Sequence, residues 1–375
     1  MAVNQRTQVK ATIRRAMQAA QRATNELDAQ AMQELTDLYQ AALVEIQFLI
    51  SHAADELGQV RLSQLHTLTR QIEEILNQVN QKQSSMVEGY IVEAAKNGGN
   101  TFSSSIPAAK VSESIDAAVL ATRTMQQKDG LQLSDRLWRV HRNAKQELTN
   151  AVERAVILGQ SASEAAQDYQ RRMQPVPSNI AQQMNMASSS GINKKVSDVL
   201  MEDQGAPYHQ IKRVMRTEIN RAYGMAFQNS AFEDEFVVGT KFKLSPNHPK
   251  RDICDMHAKA NLYGLGKGVY PKGKSPWPAH PNTISYEQVV FADEIEESEI
   301  DKSLIDLLSK EQFDVQKQIL GHYKKVAAFQ RGHLSDKMIA ASWKRVEPIL
   351  KRKGVNTDEL YPDDTVVMKV KTSNR

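Results

Sequence analysis

The chain has 375 residues, 41% of them hydrophobic and 25% charged, with 48 Lys and Arg against 44 Asp and Glu for a net charge of +4. At roughly 100–200 residues per domain this length suits two or three domains, each able to bury a core. The mild charge does not by itself announce nucleic-acid binding, and one cysteine excludes an internal disulfide and the disulfide-rich secreted class.

The opening residues lack the apolar core of a signal peptide, and the most apolar helical run, 41–50, is short and carries Glu45, so no membrane span is expected. Arg6, Lys10, Arg14, Arg15 and Arg22 all precede the first acid, Glu26. That pattern suits a basic arm on nucleic acid, an organelle-targeting peptide or simply a solvated helix face.

No proline occurs before Pro107, and apolar positions step by three and four at Leu35, Leu38, Ala42, Ile46 and Leu49 and again at Leu65, Leu68, Ile72, Ile75 and Val79. This spacing predicts a long antiparallel helical hairpin bending near Gly58, with a narrow apolar stripe that seeks a partner. The Gly-, Asn- and Ser-rich run at 97–107 reads as a linker. Beyond it, a helix starting near Ser134 is expected to stop at Gly159, a second to start at Ser161 with Glu164 in a capping box, and 175–179 to end it. Ser-rich 187–191 and the segment 203–209 bracket two short helical pieces. A strong helix then covers 208–227, with Ile211, Val214, Met215, Ile219 and Ala222 as its buried stripe.

Period two appears at 236–245, where Phe242 and Leu244 alternate with Lys241 and Lys243, and a second strand candidate spans 284–291. Between them, His248–Ser285 gathers the only cysteine, three of the nine histidines and five of the twelve prolines in a glycine-rich stretch. The acidic block from Asp293 to Asp301 reads as a solvated helix start, followed by helix to about Lys353 with a basic end at Lys344, Arg345, Lys351, Arg352 and Lys353. Residues 365–371 alternate like an edge strand. The expected fold is mostly α with a small α+β domain. Its parts are an N-terminal helical hairpin region (1–108), a helical middle (109–230), a short-stranded loop-rich domain (231–300) and a C-terminal helical tail (301–375).

The island between the strands holds the chemistry. Cys254 and His257 form a C-x2-H pair and His280 follows in a proline-rich loop, so zinc is the candidate ion, with Asp252 or His248 as a further ligand. Against this stands a small buried cysteine among polar loop histidines. A metal-dependent nuclease of the His-Asn-His type, using Asn261 or Asn282, is the sharper enzymatic reading, but Pro278 and Pro281 flank His280 where a strand should end. Residues 264–268 lack the strand-to-helix setting of a phosphate loop. On the 208–227 helix, Arg216 and Glu218 cannot face one another at that spacing; either can reach outward to brace the irregular loop.

LSDRLW at 133–138, RTEINRAYGMAF at 216–227, D-x-C-x-x-H at 252–257 and P-W-P-A-H-P-N at 276–282 stand in that order. The order resembles the phage Mu F-like minor head proteins, the phage head morphogenesis family, over about residues 130–290. On that resemblance Arg216, Thr217, Glu218, Trp277 and Pro281 are structural motif residues. The family commonly closes its loop with two cysteines where this chain has Thr283 and Ser285, so a family metal would lack two ligands here. The resemblance implies a non-enzymatic virion protein inside the head or at the portal vertex, assembled in the bacterial host cytoplasm. Its implied partners are the portal protein and double-stranded DNA bound without sequence preference, with scaffold or major capsid protein as further candidates. The basic clusters at 6–22 and 344–353 would neutralise phosphates without reading bases.

Overall fold

The computed structural model describes residues 2–126, 130–246, 248, 250–280, 283, 285–295 and 299–361. The strand expected at 365–371 lies outside the described residues, as do Pro281 and Asn282. The chain is mostly α with a small α+β domain. It divides into two compact units that interleave in sequence: unit 1 is Met1–Gln21, Ala95–Ala118 and Tyr223–Arg375, and unit 2 is Arg22–Ala94 and Val119–Ala222. This division cuts across the four consecutive segments expected from sequence, because the long helices leave one unit and enter the other.

In unit 2 the hairpin forms as its stripe predicts. Helix α1 (Ala2–His52) and helix α2 (Leu62–Gly99) turn at Gly58, whose φ of +73° suits glycine. Leu35, Ala42, Ile46, Leu68, Ile72, Ile75 and Val79 are buried. Helix α3 (Ala108–Thr124) precedes α4 (Leu133–Arg171), which runs unbroken through the expected stop at Gly159. That glycine serves packing rather than termination: a methyl group there would lie 2.4 Å from Ala187 Cβ. Helices α5 (Ser178–Met186) and α6 (Ser189–Ser197) therefore approach α4 closely, and α6 passes into a short π-helical turn, Asp198–Glu202. Helix α7 (Pro207–Ala231) buries Ile211, Met215, Ile219 and Ala222, with Val214 half-buried.

In unit 1 the expected linker at 97–107 is a packed corner. Helix α2 ends at Gly99, a 3-10 turn covers Asn100–Phe102, and Phe102 is fully buried with Ile13, Met17, Phe227, Val237 and Phe291. Gly98 permits the close approach, since a methyl group there would lie 2.1 Å from Tyr223 O. The sheet is antiparallel in the order β2 (Val269–Tyr270), β1 (Val237–Lys243), β3 (Tyr286–Phe291). Thr240 pairs with Tyr270 on one side and with Val289 on the other. Both long strands match the period-two reading.

Among its described residues the acidic block does not start an α-helix. Ala292–Glu294 form a 3-10 turn in which Asp293 and Glu294 pair with Lys10 and Arg14, and Asp301 Oδ2 accepts from Asn261 N at 3.0 Å. Among the described residues the tail holds five short α-helices, α9 (Leu304–Ser309), α10 (Phe313–Leu320), α11 (Tyr323–Gln330), α12 (Asp336–Ile339) and α13 (Trp343–Arg352), and a 3-10 turn at Thr357–Glu359. They share a second core with Ile253 and Met256 of the short helix α8 (Ile253–Lys259).

Candidate functional site

The island His248–Ser285 is ordered by its own polar side chains. Asp252 N-caps α8, accepting from Cys254 N at 2.7 Å, while Asp255 Oδ2 accepts from Asp252 N at 2.9 Å to complete a capping box. His248 Nε2 lies 3.0 Å from Asp255 Oδ2. Asn261 organises the glycine run: its Oδ1 accepts from Gly264 N at 3.0 Å and Gly266 N at 3.3 Å, and its Nδ2 donates to Glu299 O at 3.2 Å. An asparagine proposed for nuclease chemistry is thus a loop strut. Gly268, with φ +73°, lets β2 pass the end of α8, since a methyl group there would lie 2.6 Å from Ala258 O.

Three of the four expected metal ligands converge. His280 Nε2 lies 3.1 Å from Cys254 Sγ and 3.1 Å from Asp252 Oδ2. Thr283 Oγ1 lies 3.5 Å from the same sulfur. Burial alone would raise the Asp252 pKa, yet the bond from His280, the Cys254 amide and the charges of His280 and His248 hold it below the usual carboxylate range. The fourth candidate, His257, is turned to other contacts. It packs against Phe242 and Tyr270, with Nδ1 3.3 Å from Tyr270 Oη, and burial lowers its pKa to about 4. The C-x2-H spacing therefore does not mark a ligand pair here.

Helix α7 braces the loop through Gly224 and Gln228, while Arg216 and Glu218 have described partners in unit 2. Arg216 Nε donates to both oxygens of Asp28 at 3.0–3.1 Å, and the carboxylate of Glu218 takes Arg136 at 2.6 Å on one oxygen and Arg221 on the other. Thr217 donates to Arg213 O one turn back. The contacts to the loop come from the next two turns. Trp277 fills a notch at Gly224, where a methyl group would lie 1.6 Å from Cζ3 of the indole, and its Nε1 donates to Ser285 O at 2.9 Å. Gln228 donates to Glu287 on β3, which also accepts from Thr240 Oγ1 at 2.7 Å and Ser275 Oγ at 2.5 Å. Burial pushes the Glu287 carboxyl above the usual glutamate range against these three donors, which favour the ionised form. Ser285 Oγ is buried with no hydrogen-bond partner among the described residues.

The two basic clusters differ in their surroundings. Arg6 stacks on Phe236 at 4.3 Å, and Lys10 and Arg14 pair with Asp293 and Glu294, leaving Arg15 and Arg22 exposed without a described ion-pair partner. Lys344, Arg345, Lys351, Arg352 and Lys353 are all exposed on or just after α13, with Lys351 3.1 Å from Glu347.

Three open clefts are lined by residues other than Cys254. One in unit 2, about 1160 Å³, runs between α4 and α5–α6 past Ala155, Leu158 and Met186. In unit 1, one of about 540 Å³ lies by Arg331 and Lys353, and another of about 360 Å³ by Lys241 and Gln288. Arg136, Arg221, Gly224, Gln228 and Glu287 were not singled out from sequence; only Arg136, Arg221 and Gly224, inside the quoted motifs, carried any signal. No protein-family model, no curated protein and no solved structure matches this chain.

Proposed function

We propose that the chain is a structural, non-enzymatic component of a tailed-phage head: a minor head protein at the portal vertex or in the head interior, acting in head assembly and genome packaging or delivery. The observation that carries this reading is that the quoted motifs are tied to one another as framework. In unit 2, Arg136 of the first motif bonds Glu218 of the second. In unit 1, Gly224 of the second receives Trp277 of the fourth, and Cys254 of the third meets His280 of the fourth. Residues that build a shared frame explain why such motifs occur together.

Partner binding fits the exterior. Phe48, Leu57, Leu62, Leu158 and Met186 in unit 2 are at least half exposed, an apolar supply for docking on portal protein, with scaffold or major capsid protein as further partners. The α13 cations suit non-specific contact with double-stranded DNA. The test is mass spectrometry of purified particles of the encoding phage together with electron microscopy of the portal vertex; absence from the particle sinks the proposal.

The convergence of Asp252, Cys254 and His280 favours a second reading, a metal-dependent nuclease or other hydrolase. Cys254 is fully enclosed, so in such an enzyme it would serve as a metal ligand and not as the nucleophile. Incubation with plasmid DNA and Mg²⁺ or Zn²⁺ decides: robust cutting abolished by His280→Ala would establish the enzyme instead.

A further inference from the structure

The geometry points to a structural zinc site formed by Asp252, Cys254 and His280, with water or the Thr283 hydroxyl in the fourth position, clamping the start of α8 to the loop that carries His280. This does not depend on the head-protein reading. The observation is that one imidazole nitrogen faces both a thiol and a carboxylate oxygen at 3.1 Å. A single N–H can be donated well to only one of them, whereas a cation placed among the three atoms is served by all. Sulfur, imidazole nitrogen and carboxylate oxygen together are a zinc donor set.

The spacing fits. Bond lengths of ~2.0–2.3 Å in a tetrahedral shell place ligand atoms about 3.3–3.8 Å apart. The three donors here all lie within 4.8 Å of one another, so small side-chain rotations suffice. Access fits as well: Cys254 is enclosed, while the side chains of Asp252 and His280 keep 27% and 29% exposure, so solvent reaches the open side. Asp252 Oδ1 caps the helix and Oδ2 faces His280, which leaves the second oxygen for the ion.

Two neighbouring histidines are not part of the site. His257 is held by Tyr270, and His248 sits against Asp255, whose Oδ2 already completes the capping box. Binding releases the thiol proton of Cys254 to solvent and leaves a Zn²⁺–thiolate bond, so affinity falls with falling pH. Because two loop segments distant in sequence share the ion, binding energy appears as stability of unit 1.

Full-length protein is loaded with Zn²⁺, dialysed and analysed for metal, then reloaded with Co²⁺. The expected results are one zinc per chain, a thiolate-to-cobalt charge-transfer band, and a melting temperature that falls with chelator and returns with Zn²⁺. Cys254→Ala and His280→Ala should weaken Zn²⁺ affinity by more than about 100-fold, since even groups that only support a ligand change affinity 10–100-fold. His257→Gln should keep the zinc. Wild-type protein that retains no stoichiometric metal, or that shows no thiolate band with cobalt, overturns the proposal without recourse to any variant. Equal affinity in folded Cys254→Ala overturns it too.

Discussion

Glu218 is completely buried in unit 2 and holds two guanidinium groups at once, Arg136 from α4 at 2.6 Å and Arg221 one turn further along α7. A carboxylate flanked in this way is compensated, but each partner depends on it. Replacing Glu218 with Leu leaves two buried cations without their anion, and breaking a buried pair on one side costs about 3–5 kcal/mol. Chemical denaturation should show that loss. Arg136→Met combined with Glu218→Leu should cost less than the sum of the two single changes, as coupled sites do. Additive losses would mean the pair does not hold α4 to α7.

Gly224 and Trp277 make a complementary prediction for unit 1. A methyl group on Gly224 would sit inside the indole ring, so Gly224→Ala must expel Trp277 from its notch. Overpacking of this kind costs about 1–3 kcal/mol, and Trp277→Ala, which empties the notch, about 3–5 kcal/mol. Tryptophan fluorescence should shift to the red in Gly224→Ala as the indole meets water. An unshifted spectrum with unchanged stability would contradict the packing.

These two contacts also show what the sequence made legible. Helical stripes such as Leu68, Ile72 and Ile75, the bend at Gly58 and the alternation around Phe242 are local patterns, and the hairpin, α7, β1 and β3 followed from them. Two features turned on partners distant in sequence and a third on the shortness of its elements. Gly159 has the composition of a helix stop but faces Ala187, the run at 97–107 has the composition of a linker but buries Phe102, and α8 with the two-residue β2 is too short for any periodicity. Within the site, residue type announced Cys254 and His280. Nothing local distinguished His257, whose ring is taken by Phe242 and Tyr270, or announced Gln228 as a partner of Glu287.

The pH response of Glu287 follows from its enclosure. Its folded-state pKa is raised, chiefly by burial, so its contribution to stability is complete below the ordinary glutamate pKa and is lost as pH rises through the folded value. Glu287→Gln removes that titration, and the hydroxyls of Thr240 and Ser275 can turn to suit an amide. The variant should match wild type in acid and exceed it near neutral pH in thermal melts. A wild-type stability that rises across this range relative to Glu287→Gln would refute the assignment.

Lys325 gives the opposite slope at high pH. Its ammonium is buried and donates to Ile339 O at 2.8 Å and Ala341 O at 2.9 Å, and burial lowers its pKa to about 8. The unfolded chain binds a proton at this lysine up to about pH 10.4, so between the two values the unfolded state holds more protons and stability increases with pH, by about 3 kcal/mol in all. Lys325→Met should lack this rise. It should also be less stable at pH 7 by about 1–3 kcal/mol, because two buried carbonyls lose their donor.

DNA binding separates the two basic clusters. Lys10 and Arg14 already pair with Asp293 and Glu294, and Lys10 also stacks on Phe291 at 4.9 Å. Moving them onto phosphates would break contacts within unit 1. Among the described residues the cations of α13 are committed only to the Lys351–Glu347 pair and to the bond from Arg352 Nε to Pro348 O at 3.3 Å within the same helix, and an exposed lysine or arginine meets a phosphate at little cost. In gel shifts on double-stranded DNA at low salt, Lys344→Ala with Arg345→Ala and Arg352→Ala should weaken binding and flatten the salt dependence by about one unit of slope per lost phosphate contact. Lys10→Ala with Arg14→Ala should leave DNA affinity unchanged while lowering thermal stability. The reverse pattern would return DNA contact to the N-terminal helix, and no shift at any salt concentration would remove DNA as a partner.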